Sequence, residues 1–166
     1  MKPLKTKIHT RLISAFFMSL CLLMMTTAHA GDRYGKQKVV YHINYDNPKK
    51  QAGALRNIQN HINAVGAENL DLKVVLHGNG LSLLLDPDSL AKLKKFKYAN
   101  ANETMTAKID GLKNQGVAFN VCANTVRGRK VDLDTDLYNV DNDDIVPSGV
   151  AEVAYLQANG YSYVKP

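Results

Sequence analysis

Cysteine is scarce in this sequence: two occur in 166 residues, and one of them, Cys21, sits in an apolar stretch close to the N-terminus. The remainder of the chain has one thiol, Cys122, and so no internal disulfide. Zinc sites need three or four soft ligands, more than one Cys and at most two His can supply. No glycine-rich loop follows the first strand candidate, which removes dinucleotide-binding and P-loop readings. No Pro/Ser-rich linker, internal repeat or low-complexity tract divides the chain. The longest apolar run, Leu12 to Met25, falls short of the ~20 residues that a bilayer-spanning helix needs.

That run belongs to a recognisable N-terminal pattern. Lys2, Lys5, Lys7 and Arg11 precede it, and Ala28-His29-Ala30 follows it with small residues at the cleavage-defining positions. Residues 1–30 are predicted to be a secretory signal peptide, cleaved after Ala30, with a periplasmic or secreted single domain over residues 31–166. Loss of the leader removes four of the 21 cations and no anion, leaving 17 against 15 and a net charge of +2. The high pI therefore resides largely in the leader, and neither nucleic acid nor, after cleavage, a membrane is an expected partner. In an oxidising compartment a lone cysteine is buried, paired between molecules or reactive.

Hydrophobic patterning predicts alternating strands and helices. Lys38–Tyr45 reads as a strand covered on both faces. Asn47 and Pro48 then start a helix carrying Ala52, Leu55, Ile58, Ile62 and Val65 on one side and closing at Gly66. Leu72–Leu76 is a second strand, ending at His77-Gly78-Asn79-Gly80. Leu81–Leu85 is apolar without a clear period, and Ser89–Lys97 reads as a short basic helix. Asn102 caps a helix with Met105, Ile109 and Leu112 inward, and Val117–Val121 is a third strand. Asp132 to Asp144 holds six aspartates. It lacks the turn glycine and closing glutamate of a calcium loop, so a solvated, helix-capping loop is expected. Ile145-Val146, a helix from Ser148-Gly149 with Val150, Val153, Ala154 and Leu156 inward, and a strand at Tyr161–Val164 complete the series. Such alternation, without hairpin signals, predicts a three-layer α/β/α domain with a mostly parallel five-stranded sheet, flavodoxin-like in broad shape.

In a parallel sheet the carboxyl ends of all strands share one edge. That edge would gather Asn44, Tyr45 and Asp46 with His77, Gly78 and Asn79, and Cys122 and Asn124 with Ser148. Cys122 would lie at a strand end facing a helix N-terminus, whose free N–H groups favour a thiolate. His77, Asn79, Asn124 and Thr125 are the candidate binding residues around it. A Cys–His hydrolase would also require an orienting third group. Reversible sulfur chemistry needs only one accessible, low-pKa thiol. Taken alone, Cys122 also fits a small buried packing residue. His42 reads as strand packing, Arg127, Arg129 and Lys130 as a solvated face, and Tyr155, Tyr161 and Tyr163 as core or subunit contact.

The segments VCANTVRG, the Val-Pro-Ser-Gly-Val turn and the ending LQANGYSYVKP resemble the DsrE/DsrF-like family, most closely its exported branch. HGNGLSLLL is similar to a family pattern as well, and the resemblance runs from about Lys38 to Pro166. It implies a DsrE-like three-layer domain that assembles into trimers or hexamers. It also implies a cysteine, here Cys122, carrying persulfide sulfur between a donor and an acceptor without a cofactor. Two alternatives stand beside that carrier: an oligomeric module holding a small ligand, with Cys122 merely packing, and a metal-binding protein using His77, Cys122 and a carboxylate.

Overall fold

The computed structural model describes residues 31–166, so the expected leader and its cleavage site lie outside the described residues. Five strands form one parallel sheet: β1 (Gln37–Ile43), β2 (Leu70–Leu76), β3 (Ala118–Cys122), β4 (Ile145–Val146) and β5 (Ser162–Val164), in the order β4-β3-β2-β1-β5. Between them run α1 (Pro48–Val65), α2 (Glu103–Lys113), α3 (Ala123–Arg129) and α4 (Gly149–Ala158). No described helix is long and apolar enough to cross a membrane.

Local sequence explains the helix ends. Asn47 accepts a hydrogen bond from the Lys50 amide at 3.0 Å, Pro48 supplies the first helical position, and Gly66 ends α1 at φ 91°, a conformation that disfavours a side chain. Asn102 caps α2 through the Met105 amide in the same manner.

Topology then sets how each face of the sheet is covered. The first four strands step in one direction, and the chain returns from β4 to place β5 beside β1. Right-handed crossovers put the outward and returning helices on opposite faces. On one face Tyr41, Ile43, Val74, Leu76, Phe119 and Val121 pack with Leu55, Ile58, Ile109 and Leu112 in a single large core. Each such side chain stabilises the fold by ~1.5–3 kcal/mol when fully buried. The other face buries only Val40, Val75 and Leu156 as its core, against α4. Three layers are present, but the third is one helix thick. The expected inward face of α4 is corrected accordingly: Leu156 is buried, whereas Val150 remains 65% exposed.

Of the two connections after β2, only the second differs from the sequence reading. The apolar stretch after β2 is a buried 3-10 turn, Gly78–Leu83. It is tied to the end of β1 by Gln51, whose side-chain amide donates to the Tyr45 and Gly80 carbonyls and to Ser82 Oγ. The basic stretch is not a helix: a 3-10 turn covers Pro87–Ala91, and Lys92–Lys97 continues as irregular turns. Asp132 and Asp141 cap the starts of helical turns, and Asp144 pairs with Lys113. Asp136 is different again. It is buried against Lys92 at 2.6 Å, Ser89 Oγ at 2.7 Å and the Asp132 amide at 2.9 Å.

Candidate functional site

The end of β3 places Cys122 at the first non-helical position before α3, with extended backbone (φ −72°, ψ 111°). Leu76 of β2 pairs with Val121 of β3, so one step further His77 stands beside Cys122. Strand alternation puts both on the thinly covered face. The N-terminus of α4 closes over them. A Cβ at Gly149 would lie 2.8 Å from His77 Cβ and 3.2 Å from Cys122 Cβ, so any side chain there would push the start of α4 away.

This close approach changes the thiol. Burial to 5% exposure pushes its pKa up. The Gly149 N–H, the Thr125 hydroxyl and the Thr125 and Asn124 amides face the sulfur and outweigh that, leaving the pKa below the usual thiol value. Thr125 Oγ1 accepts from the Gly78 amide at 2.8 Å, which commits a lone pair to Gly78 and leaves its hydrogen for the sulfur.

An unexpected second imidazole joins the site. His42, on β1, stacks on His77 with ring centroids 4.8 Å apart and planes 22° apart. Its Nδ1 shares a hydrogen bond with Tyr163 Oη at 2.8 Å. Burial, then His77 and Lys165, push the His42 pKa down to about 4; burial and then Lys165 lower that of His77. Both rings are neutral at neutral pH. Stabilisation of the thiolate therefore comes from amides and a hydroxyl, not from an imidazolium. Among the described residues no hydrogen bond orients either ring nitrogen of His77, which leaves a Cys–His hydrolase without its third member.

Three buried side-chain polar atoms among the described residues lack a hydrogen-bond partner: His42 Nε2, His77 Nε2 and Asn120 Oδ1. All three residues lie on the sheet face that carries Cys122. Unpaired buried groups cost ~1–3 kcal/mol each, and such costs concentrate at functional positions.

The predicted residues are thus distributed unevenly. Cys122, His77 and Thr125 come together, and Asn124 contributes its amide. The Asn124 side chain instead accepts from Arg127 at 2.5 Å, and the Asn79 side chain accepts from Arg129 at 2.6 Å, so both serve the basic surface. No group of three or more His, Cys, Asp or Glu among the described residues is placed to hold a metal ion. Sequence reading missed His42, Gly149 and Tyr163. The alternation Val40-Tyr41-His42 was a usable signal for His42, because it sets that ring opposite to the buried Tyr41.

The DsrE/DsrF-like family model matches residues 37–166. The chain belongs to the DsrE/DsrF-like family. A solved relative, described as a protein of unknown function, MTH1491, from Methanobacterium thermoautotrophicum, is 27% identical and superposes with a TM-score of 0.62. The match covers 79% of this chain and 100% of that one. No curated protein matches the chain. The family is one of sulfur-relay-related proteins, and its model spans every strand of the sheet described above.

Proposed function

We propose that the protein is a sulfur carrier in which Cys122 accepts a sulfane sulfur as a persulfide and passes it on. The position of the single described thiol, at the junction of β3 and α3 with Gly149 closed against it and its pKa lowered, is the observation that carries this reading. In the first step the Cys122 thiolate attacks the outer sulfur of a persulfide or polysulfide donor. A new S–S bond forms, the old one breaks, and the donor leaves as a thiolate with the electron pair. An acceptor thiolate then attacks the terminal sulfur and Cys122 departs as a thiolate. No net oxidation occurs in either step, and turnover depends on donor and acceptor. The 5% exposure of Cys122 suits a carrier that shields its cargo between encounters. Incubation with inorganic polysulfide is expected to add one sulfur atom to the intact mass, reversibly by dithiothreitol and not in Cys122→Ser. An unchanged mass in the native protein would contradict the proposal.

A second reading, a small-ligand-binding module with Cys122 as packing, draws on the unpartnered His42, His77 and Asn120 atoms. The same mass measurement separates the two.

The carrier is proposed to act in the periplasm or outside the cell, as the pattern of residues 1–30 implies. It is also proposed to be a homo-oligomer, a trimer or hexamer. Support comes from α4, where Val150 and Tyr155 are 65% and 62% exposed, and from Tyr163 beside it at 41%. An apolar helix this uncovered fits a subunit contact. Light scattering is expected to give three or six chains, and the Val150→Asp/Tyr155→Asp variant is expected to give one. A wild-type mass of one chain would refute the assembly.

A further inference from the structure

A cationic lobe lies beside the thiol helix and has no part in the chemistry described above. Leu93 and Phe96 are buried and pin the Lys92–Lys97 stretch to the body, while Lys92, Lys94, Lys95 and Lys97 are all exposed. The stretch abuts the far end of α3. Lys95 Nζ donates to the Gly128 carbonyl at 2.6 Å, Arg129 Nη1 donates to the Lys95 carbonyl at 3.1 Å, and the Arg129 guanidinium lies 4.4 Å from the Phe96 ring centroid. Between the two segments is an open cavity of about 340 Å³, lined by five cations (Lys92, Lys94, Lys95, Arg129 and Lys130) against Asp132 and Asp136. Asp136 is already paired with Lys92. The lining thus carries a surplus of three positive charges, which exceeds the +2 of the whole chain without residues 1–30. The rest of that chain is therefore close to neutral or acidic, and the positive potential is concentrated here.

We infer that this lobe docks an acidic segment of the protein that exchanges sulfur with Cys122; the inference rests on the sulfur-carrier reading. An acidic polypeptide fits better than a small anion. The cations are spread over two segments, all exposed except the half-buried Arg129, and isolated exposed pairs contribute only ~0–1 kcal/mol each. Several carboxylates on one chain engage them together, and complementary charge raises the encounter rate. The distance also suits a protein. Cys122 and Arg129 stand at opposite ends of α3, and seven helical residues rise ~10 Å. A docked protein spans that length while presenting its own sulfur to Cys122. The loop after β2 joins both ends, since Gly78 bonds Thr125 and Asn79 bonds Arg129.

Residues 31–166 carrying Lys94→Glu, Lys97→Glu and Lys130→Glu provide the test, because these side chains are exposed and form no salt bridge among the described residues. The probe is a fluorescein-labelled twelve-residue Glu/Leu peptide, with its Gln/Leu counterpart as control, followed by anisotropy. The unsubstituted protein is expected to bind the Glu/Leu peptide saturably at low salt and not the control. Charge reversal, or a rise to 0.3 M salt, is expected to weaken binding about tenfold or more. Uptake of sulfur from inorganic polysulfide is expected to change less than about twofold. If circular dichroism shows the Glu variant unfolded, Lys94→Gln/Lys97→Gln/Lys130→Gln replaces it with the same expected direction. Equal peptide binding by the variant overturns the docking site, as does tighter binding of the native protein to phosphatidylglycerol vesicles or to a single-stranded oligonucleotide. Loss of peptide binding with normal sulfur uptake in the native protein overturns docking alone. Absence of sulfur uptake in the native protein overturns the carrier reading instead.

Discussion

Gly80→Ala is expected to prevent stable folding, while Gly111→Ala, at an open position on helix α2, raises stability. A Cβ at Gly80 would sit 1.9 Å from the Ile43 carbonyl oxygen, 2.6 Å from its carbon and 3.0 Å from Asn44 Cα. These are backbone atoms at the end of a central strand, and Ile43 is fully buried, so no rotamer change relieves the overlap. The buried turn Gly78–Leu83 would have to lift off, breaking the Gln51 contacts to Gly80 and Ser82. Overpacking of a well-filled core costs ~1–3 kcal/mol when side chains can shift. Here the obstacle is main chain and the loss of buried hydrogen bonds adds ~1–3 kcal/mol each. Against a total stability of ~5–15 kcal/mol, a drop of ~5 kcal/mol leaves little folded protein at 37 °C. At Gly111 no atom lies within 4 Å of a new Cβ, so alanine should stabilise by ~0.5–1 kcal/mol through helix propensity. Urea titration of both variants checks the contrast; similar midpoints would refute the packing described for the turn.

Gly149→Ala should act on the thiol more than on the fold. The added methyl would meet His77 Cβ at 2.8 Å and Cys122 Cβ at 3.2 Å, which moves the start of α4 outward by a few tenths of an ångström or more. The cost in stability is expected to be ~1–3 kcal/mol. The chemical effect follows from the donors: the Gly149 N–H is the first of the groups that offset burial of Cys122. Weakening a hydrogen bond to a charged group is worth ~1.5–3 kcal/mol, and ~1.4 kcal/mol is one pKa unit. The Cys122 pKa should therefore rise by about one unit or more, and iodoacetamide alkylation at pH 7 should slow by up to about tenfold. An unchanged rate in a folded variant would show that α4 does not activate the sulfur. The position also explains a geometric feature of the site. Ser148 caps α4 through the Ala151 amide, which leaves the Gly149 amide available to the thiolate.

Much of this fold is legible in the chain because local signals agree with one another. Asn47-Pro48, the Leu55-Ile58-Ile62-Val65 spacing and Gly66 all define the same helix, and the three longer strands are bracketed by turn residues. Cys122 at a strand end followed by a helix was legible for the same reason. What escaped depends on strand order. His42 reads as packing until β1 is known to lie beside β2, which brings its ring over His77. Val150 and Ala154 have helical spacing toward a core, yet the return of the chain to β5 leaves α4 alone on a narrow face. Lys92–Lys97 resembles an amphipathic helix since Leu93 and Phe96 are three apart, but that interval suits a 3-10-like turn as well. Asn79 and Asn124 lie in the correct loops, but the neighbouring Arg129 and Arg127 claim their side chains.

The rate of Cys122 alkylation by iodoacetamide, followed by intact mass from pH 4 to pH 10 in the folded protein, tests the central claim most directly. The donors around the sulfur predict a titration midpoint below that of an ordinary cysteine, moving upward in Gly149→Ala and in Thr125→Val. A midpoint at or above the ordinary value, or a thiol that reacts only after unfolding, would contradict an activated sulfur at this strand end.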